Sequence, residues 1–208
     1  MDNNNTLNIN PGEANETTEK LWYAIRVTYN RELKVKADLD ERGIQNFVPM
    51  QYKHIRKGGK IVKKLVPTIH NLIFVLIDKK SMVEYKATTT LPIRYIMDRE
   101  KNVPMVIPRR QMDNFIAVAG SYDEQLIYIE NDPGTLKKGD KVRVLGGIFE
   151  GAEGTLMRIK GDRRVVVSIP GVIAVATANI HASLLEKIES SHPLNPYLLC
   201  STLPQTPR

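Results

Sequence analysis

From Gly139 to Ile159 the chain reads Gly-Asp-Lys-Val-Arg-Val-Leu-Gly-Gly-Ile-Phe-Glu-Gly-Ala-Glu-Gly-Thr-Leu-Met-Arg-Ile, and no other segment narrows the choice of fold as tightly. Val142 and Val144 alternate with Lys141 and Arg143, so one face of this stretch is apolar and the other basic, the pattern of a half-buried strand. Gly146, Gly147, Gly151 and Gly154 then supply positions where φ can be positive or two backbones can approach closely. Phe149 sits between them as an aromatic that either plugs or overhangs the corner. Corners of this kind close small β-barrels; the alternative is a glycine-rich hairpin in another small β domain.

The residues that follow favour a barrel. Gly161-Asp162 and Pro170-Gly171 are turn signals, and they separate the valine-rich runs Arg164 to Ile169 and Val172 to Thr177. A short closed sheet over 137–188 leaves no exposed edge but buries only a modest core, which suits a binding module better than a catalytic one.

With 208 residues, 42% hydrophobic and 25% charged, the chain can form one large or two small domains, and it has no apolar run long enough to span a bilayer. The polar opening, 1–19, lacks both a secretory and an arginine-rich transit pattern and is expected to be a disordered tail, as is 189–208. The single cysteine, Cys200, excludes an internal disulfide and fits a reducing cytoplasm. A net charge of +7 favours polyanionic partners without naming one.

The position of that charge is more informative. No acidic residue lies between Glu41 and Asp78, whereas Lys53, Arg56, Lys57, Lys60, Lys63 and Lys64 surround Gly58-Gly59. The spacing predicts a basic β-hairpin with a Gly-Gly turn. Such a hairpin lies along a phosphate backbone, releasing counterions, or is a solvated device that keeps a sheet edge from aggregating.

The N-terminal part alternates strand and helix. Leu21 to Val27 is a strand; Asn30 is placed to cap a helix supported by Glu32–Lys36 and Asp38–Arg42 pairs, with Val35 and Leu39 inward and Gly43 at its end. Phe47 to Met50 is a short strand, and Ile69 to Ile77 a central strand buried on both faces. Ser81 and Glu84 form a capping box for a second helix. Ile93 to Met97 and Val103 to Ile107 are strands, and Pro108 opens a third helix with Met112, Phe115, Ile116 and Ala119 on one stripe. The fold class is α+β: a sandwich over 20–119, a linker over 120–136 and the barrel over 137–188.

This order of parts, with Trp22-Tyr-Ala-Ile-Arg-Val, Lys34-Val-Lys-Ala-Asp-Leu39, Pro67-Thr-Ile-His-Asn-Leu-Ile-Phe-Val75 and the glycine corner, resembles the NusG family of transcription elongation factors. The resemblance covers Leu21 to Ile188, and identifies the first domain as NGN-type and the barrel as a KOW module. The His70-Asn71-Leu72 phrasing and the extended tail look most like the UpxY-type paralogues, which are similar to RfaH and act on capsular-polysaccharide operons. The resemblance implies an RNA polymerase-binding face at Arg26, Ile69, Leu72, Phe74 and Tyr95, directed at the clamp coiled coil. The family usually has Phe-Pro-Gly/Asn-Tyr where this chain has Ile69-His70-Asn71-Leu72, so two aromatic anchors are missing.

On the first helix the resemblance implies contacts with non-template DNA at positions that here are Thr28, Lys34, Asp38 and Glu41. Only Lys34 is basic, so the same element is not read in the same way; Arg31, Lys34 and Arg42 are candidates for a different one, against a solvated helix face held by its own ion pairs. Lys57, Lys60 and Lys63 are the hairpin's candidates for DNA or nascent RNA. The KOW module is expected to recruit Rho or a small-subunit ribosomal protein through Ile148 and Phe149, or else to tuck Phe149 into the barrel end. The β-prone runs after the corner predict a stable β fold for it.

The inventory does not support an enzyme. His54, His70, His181 and His192 are scattered without carboxylate or cysteine at metal-ligand spacing, and there is no Gly-Lys-Ser phosphate loop, so neither metal nor cofactor is expected. The chain is expected to be a cytoplasmic monomer without a membrane partner. Its alternatives are the housekeeping NusG role and a KOW-containing RNA- or ribosome-binding protein.

Overall fold

The computed structural model describes residues 19–98, 100–130 and 139–188. The expected tails, apart from Glu19, and residues 131–138 of the expected linker and barrel start lie outside the described residues. The chain divides into two units, Met1–Met112 and Asp113–Arg208, with the division inside helix α3 (Arg109–Ala119).

In the first unit β1 (Leu21–Val27) lies at the centre of a sheet with β2 (Asn46–Phe47), β5 (Leu72–Ile77) and β6 (Ile93–Tyr95) in the order β2-β5-β1-β6, and β9 (Val106–Ile107) also pairs with β1. The β1–β5 ladder is antiparallel and runs from Leu21 opposite Ile77 to Arg26 opposite Leu72. Because side chains alternate, Tyr23, Ile25, Val27, Ile73, Val75 and Ile77 share one face. There they pack with Val35 and Leu39 of α1 (Glu32–Glu41) and Met82 and Tyr85 of α2 (Lys79–Thr88). Trp22, Ala24, Leu72 and Phe74 take the opposite parity and are buried as well.

The helix ends differ from expectation in an instructive way. Asn30 does not cap α1: it and Tyr29 have positive φ, and Arg31 occupies the N-cap without a side-chain hydrogen bond. Glu32, expected to pair with Lys36, is instead buried, and its carboxylate accepts the Asn71 N–H. Asn71 returns the contact, its Oδ1 accepting the Asn30 N–H at 3.2 Å. Lys36 pairs with Asp40, while the expected Asp38–Arg42 pair is present. Asp78, three residues before the expected cap, closes α2 by accepting the Ser81 N–H at 2.9 Å. Strand β5 begins at Leu72 rather than Ile69, because Asn71 turns through a positive φ. On α3 the buried set is Met112, Phe115, Val118 and Ala119, with Val118 taking the place expected for Ile116.

Two hairpins stand apart from this sheet: β3 (Met50–Lys57) with β4 (Lys60–Pro67), and β7 (Met97–Asp98) with β8 (Val103–Pro104).

The second unit holds a six-stranded antiparallel sheet. Its members are β10 (Ile127–Glu130), β11 (Lys141–Val144), β12 (Glu153–Ile159), β13 (Asp162–Ile169), β14 (Ile173–Ala176) and β15 (Leu185–Lys187), in the order β10-β14-β13-β12-β11-β15. The hydrogen-bonded path ends at β10 and β15 without closing among the described residues. Strand β10 falls in the stretch read as linker, where flanking acids and Pro133-Gly134 mask the short β-prone run Ile127-Tyr128-Ile129. Arg164 is buried and ties this strand's approach to the sheet: its Nη1 donates to the Gln125 carbonyl at 2.9 Å and the Thr177 carbonyl at 2.7 Å, and its Nη2 meets Asp162 at 3.0 Å.

Two expectations follow. Glu32→Ala removes the acceptor of the Asn71 N–H and should reduce protection of that amide in hydrogen exchange by about 1–3 kcal/mol, with Glu32→Gln retaining more of it. A methyl group at Gly154 would lie 2.5 Å from the Val166 carbonyl oxygen and 2.7 Å from Val165 Cγ1. Gly154→Ala should therefore destabilise the second unit by about 1–3 kcal/mol in hydrogen exchange of the β12 and β13 amides.

Candidate binding surfaces

The expected polymerase-binding residues do not form one patch. The ladder places Arg26 and Leu72 opposite each other, with Phe74 on the same face, and Arg26 also stands opposite Arg94 of β6. Tyr95 is one residue further and so faces the helices. It packs against their core, its hydroxyl donates to the Met82 carbonyl at 2.9 Å, and Lys86 lies 5.0 Å from its ring. Burial also raises the Tyr95 phenol above its ordinary pKa. Ile69 precedes the strand and is buried; Leu72 and Phe74 are wholly so. What the first unit displays on this face is the partly exposed Arg26 beside the exposed Arg94.

The basic hairpin has the expected Gly-Gly turn, with φ of +56° at Gly58 and +78° at Gly59, as a type I′ turn requires. Its register sorts the charges. Lys57 faces Lys60 and Lys53 faces Lys64, with the Ile55–Val62 pair between them on the same side. His54 faces Lys63 and Arg56 faces Ile61 on the other side, where Lys63 lies 4.7 Å from the Tyr52 ring. The lysine face thus comprises Lys53, Lys57, Lys60 and Lys64, all exposed, while Lys63 belongs to the aromatic face. Lys53 and Lys64 become candidates only once the register is known. Eight residues per strand give a reach of about 26 Å at the usual rise of about 3.3 Å.

On α1 the three candidate cations have separate fates. Lys34 is exposed, Arg31 stacks 5.5 Å from the ring of the exposed Tyr29, and Arg42 is committed to the fold. Arg42 pairs with Asp38 at 3.3 Å, donates to Thr88 Oγ1 at 2.9 Å and covers the Tyr85 ring at 5.1 Å, joining the ends of α1 and α2.

In the second unit the glycine corner separates the two residues expected to act together. Phe149 is buried and Ile148 is 65% exposed. Leu145 and Leu184 are exposed too and adjacent, the Leu145 N–H donating to the Leu184 carbonyl at 2.8 Å, so an aliphatic patch stands where an Ile-Phe pair was expected. Leu184 was missed because its neighbourhood to the corner depends on the β11–β15 pairing.

Among the described residues no three His, Cys, Asp or Glu side chains are grouped to hold a metal ion, and no helix is long and apolar enough to cross a membrane.

Comparison with known proteins bears on the first unit. No curated protein matches the chain. The solved structure of Thermotoga maritima NusG, reported for its domain interaction, is similar at 21% identity with a TM-score of 0.43, covering 82% of this chain and 98% of that one. The family model NusG, described as transcription termination factor nusG, matches residues 20–116. That span takes in β1, the Glu32–Asn71 contact and the basic hairpin, so it is over these residues that the chain is similar to the NusG family.

Proposed function

We propose that this chain is a transcription elongation and antitermination factor that docks on the clamp coiled coil of RNA polymerase and increases readthrough of a specific operon, as UpxY-type paralogues do for capsular polysaccharide. The family match over 20–116 carries this reading. It is supported by Arg26 and Arg94, cross-strand neighbours that the sheet displays beside the buried Leu72 and Phe74: two adjacent guanidinium groups suit a helical partner with acidic side chains. The second unit acts as a KOW module whose patch of Leu145, Ile148 and Leu184 recruits Rho or a small-subunit ribosomal protein. Tethering polymerase and a second factor on one chain raises their effective concentration.

The hairpin adds a nucleic-acid contact. Four lysines along one face, without ion pairs among the described residues, follow a phosphate backbone more naturally than a scattered set does. On purified elongation complexes, replacing Lys53, Lys57, Lys60 and Lys64 with Gln should flatten the slope of log affinity against log salt by up to about 3 units, at about 0.7 per single-strand phosphate contact. Lys63→Gln should change it by no more than about 0.7. Equal slopes for both variants would return the hairpin to a solvated edge.

Docking is tested with Arg26→Glu/Arg94→Glu, which leaves the buried residues in place. Binding to the isolated clamp coiled coil should fall about tenfold or more, with the largest effect on association at low salt. Unchanged binding would remove this face from the proposal. Full-length protein should shorten pauses and raise terminator readthrough, and polymerase occupancy across the genome with and without it should change at one operon. A change at all operons would favour the housekeeping role, and no change on any template would favour the RNA- or ribosome-binding alternative.

A further inference from the structure

A cavity of about 340 Å³ opens on the second unit at the β12–β13 hairpin, away from the glycine corner in sequence. Arg158 and Arg163 line it, and they are direct cross-strand partners, so both guanidinium groups rise from the same side of the ladder. Both are exposed, and neither has an ion pair among the described residues. Like charges placed opposite one another on a sheet destabilise it unless something neutralises them. The carboxylate nearest in sequence, Asp162, also borders the cavity but is bound 3.0 Å away to Nη2 of Arg164, which has the opposite parity to Arg163 along the strand.

The far wall is built by the segment after β14. Ile180 is buried and its N–H donates to the Arg163 carbonyl at 3.0 Å, which fixes this segment beside the start of β13. Its neighbours Asn179 and His181 are exposed and line the cavity. His181 is itself oriented: Nδ1 accepts the Ser183 N–H at 3.3 Å and lies 2.8 Å from Ser183 Oγ. Nε2 is the nitrogen left for a ligand. The cavity therefore presents two guanidinium forks, an amide and an imidazole edge, with its one carboxylate already engaged.

We propose that this cavity is a phosphate-binding site. Guanidinium groups match phosphate oxygens in paired, charge-assisted hydrogen bonds, and the volume falls in the range of small-ligand sites, with room for a nucleotide. The phosphate belongs either to a soluble compound such as a nucleotide or to the backbone of a single-stranded RNA. The site is independent of polymerase docking and of the lysine face, which lie in the first unit.

The test uses the full-length chain, titrated at constant ionic strength with inorganic phosphate, adenosine 5′-monophosphate and a short single-stranded oligouridine, followed by NMR. The Arg158 and Arg163 Nε–H signals and the Gly161 amide should shift and saturate. Arg158→Gln/Arg163→Gln should weaken that binding about tenfold or more while leaving the rest of the spectrum in place, since both side chains are exposed. The four-lysine hairpin variant should leave these local shifts unchanged. Saturation by phosphate or the mononucleotide alone identifies a soluble ligand; saturation by the oligonucleotide alone identifies a backbone. Shifts reproduced by chloride at equal ionic strength, or affinity unaltered in the double variant, would overturn the proposal.

Discussion

The first unit depends on the antiparallel ladder between β1 and β5. Once Leu21 stands opposite Ile77, the two-residue repeat assigns every later side chain to a face. One parity builds the core with α1 and α2; the other collects Trp22, Ala24, Leu72 and Phe74 and ends at Arg26. A slip of one residue would exchange these sets and turn the residues that hold the helices away from them. The same constraint separates Tyr95 from Arg26 although both lie in neighbouring strands, since Tyr95 is paired with Ile25.

Two buried charged residues reinforce the units locally. Glu32, in the first turn of α1, accepts the Asn71 N–H at the entrance to β5, so the helix start and the central strand are positioned together. Arg164 does a comparable task in the second unit by donating to the carbonyls of Gln125, just before β10, and Thr177, just after β14. Both satisfy backbone groups where the chain enters or leaves regular structure, and there a charge-assisted hydrogen bond offsets part of the cost of burial.

Elsewhere the molecule leaves cations without carboxylate partners on its surface, in the lysine face of the hairpin and in the Arg158–Arg163 pair. Each is a cross-strand arrangement of like charge that works against folding rather than for it. Their location on short antiparallel hairpins holds the charges at fixed spacing, which a polyanion exploits and a flexible chain does not.

Composition, the Gly-Gly turn, the apolar run into β5 and the glycine corner were enough to place the basic hairpin, the α+β first unit and the β-rich second one. These depend on local conformational preference and on periodicity, which a linear sequence carries directly. The burial of Glu32 and the strand at Ile127–Glu130 were not legible, because each is decided by a distant partner, a turn at Asn71 and an edge of β14, whereas the cap of α2 at Asp78 is a local contact with Ser81 that competed in the sequence with the Ser81–Glu84 pattern. The candidate surfaces divide in the same way. Charge pattern marked Lys57 and Lys60 as candidates, and the family resemblance marked Arg26 and Ile148. Only register joined Lys53 and Lys64 to the lysine face and moved Lys63 and Tyr95 to other faces, and only packing brought Arg42, already expected to pair with Asp38, against Thr88 and buried Phe149 while leaving Leu184 exposed beside the corner. Sequence determines which side chains are available; pairing between strands far apart in the chain decides which of them share a surface, because the direction of a side chain follows from the ladder it joins.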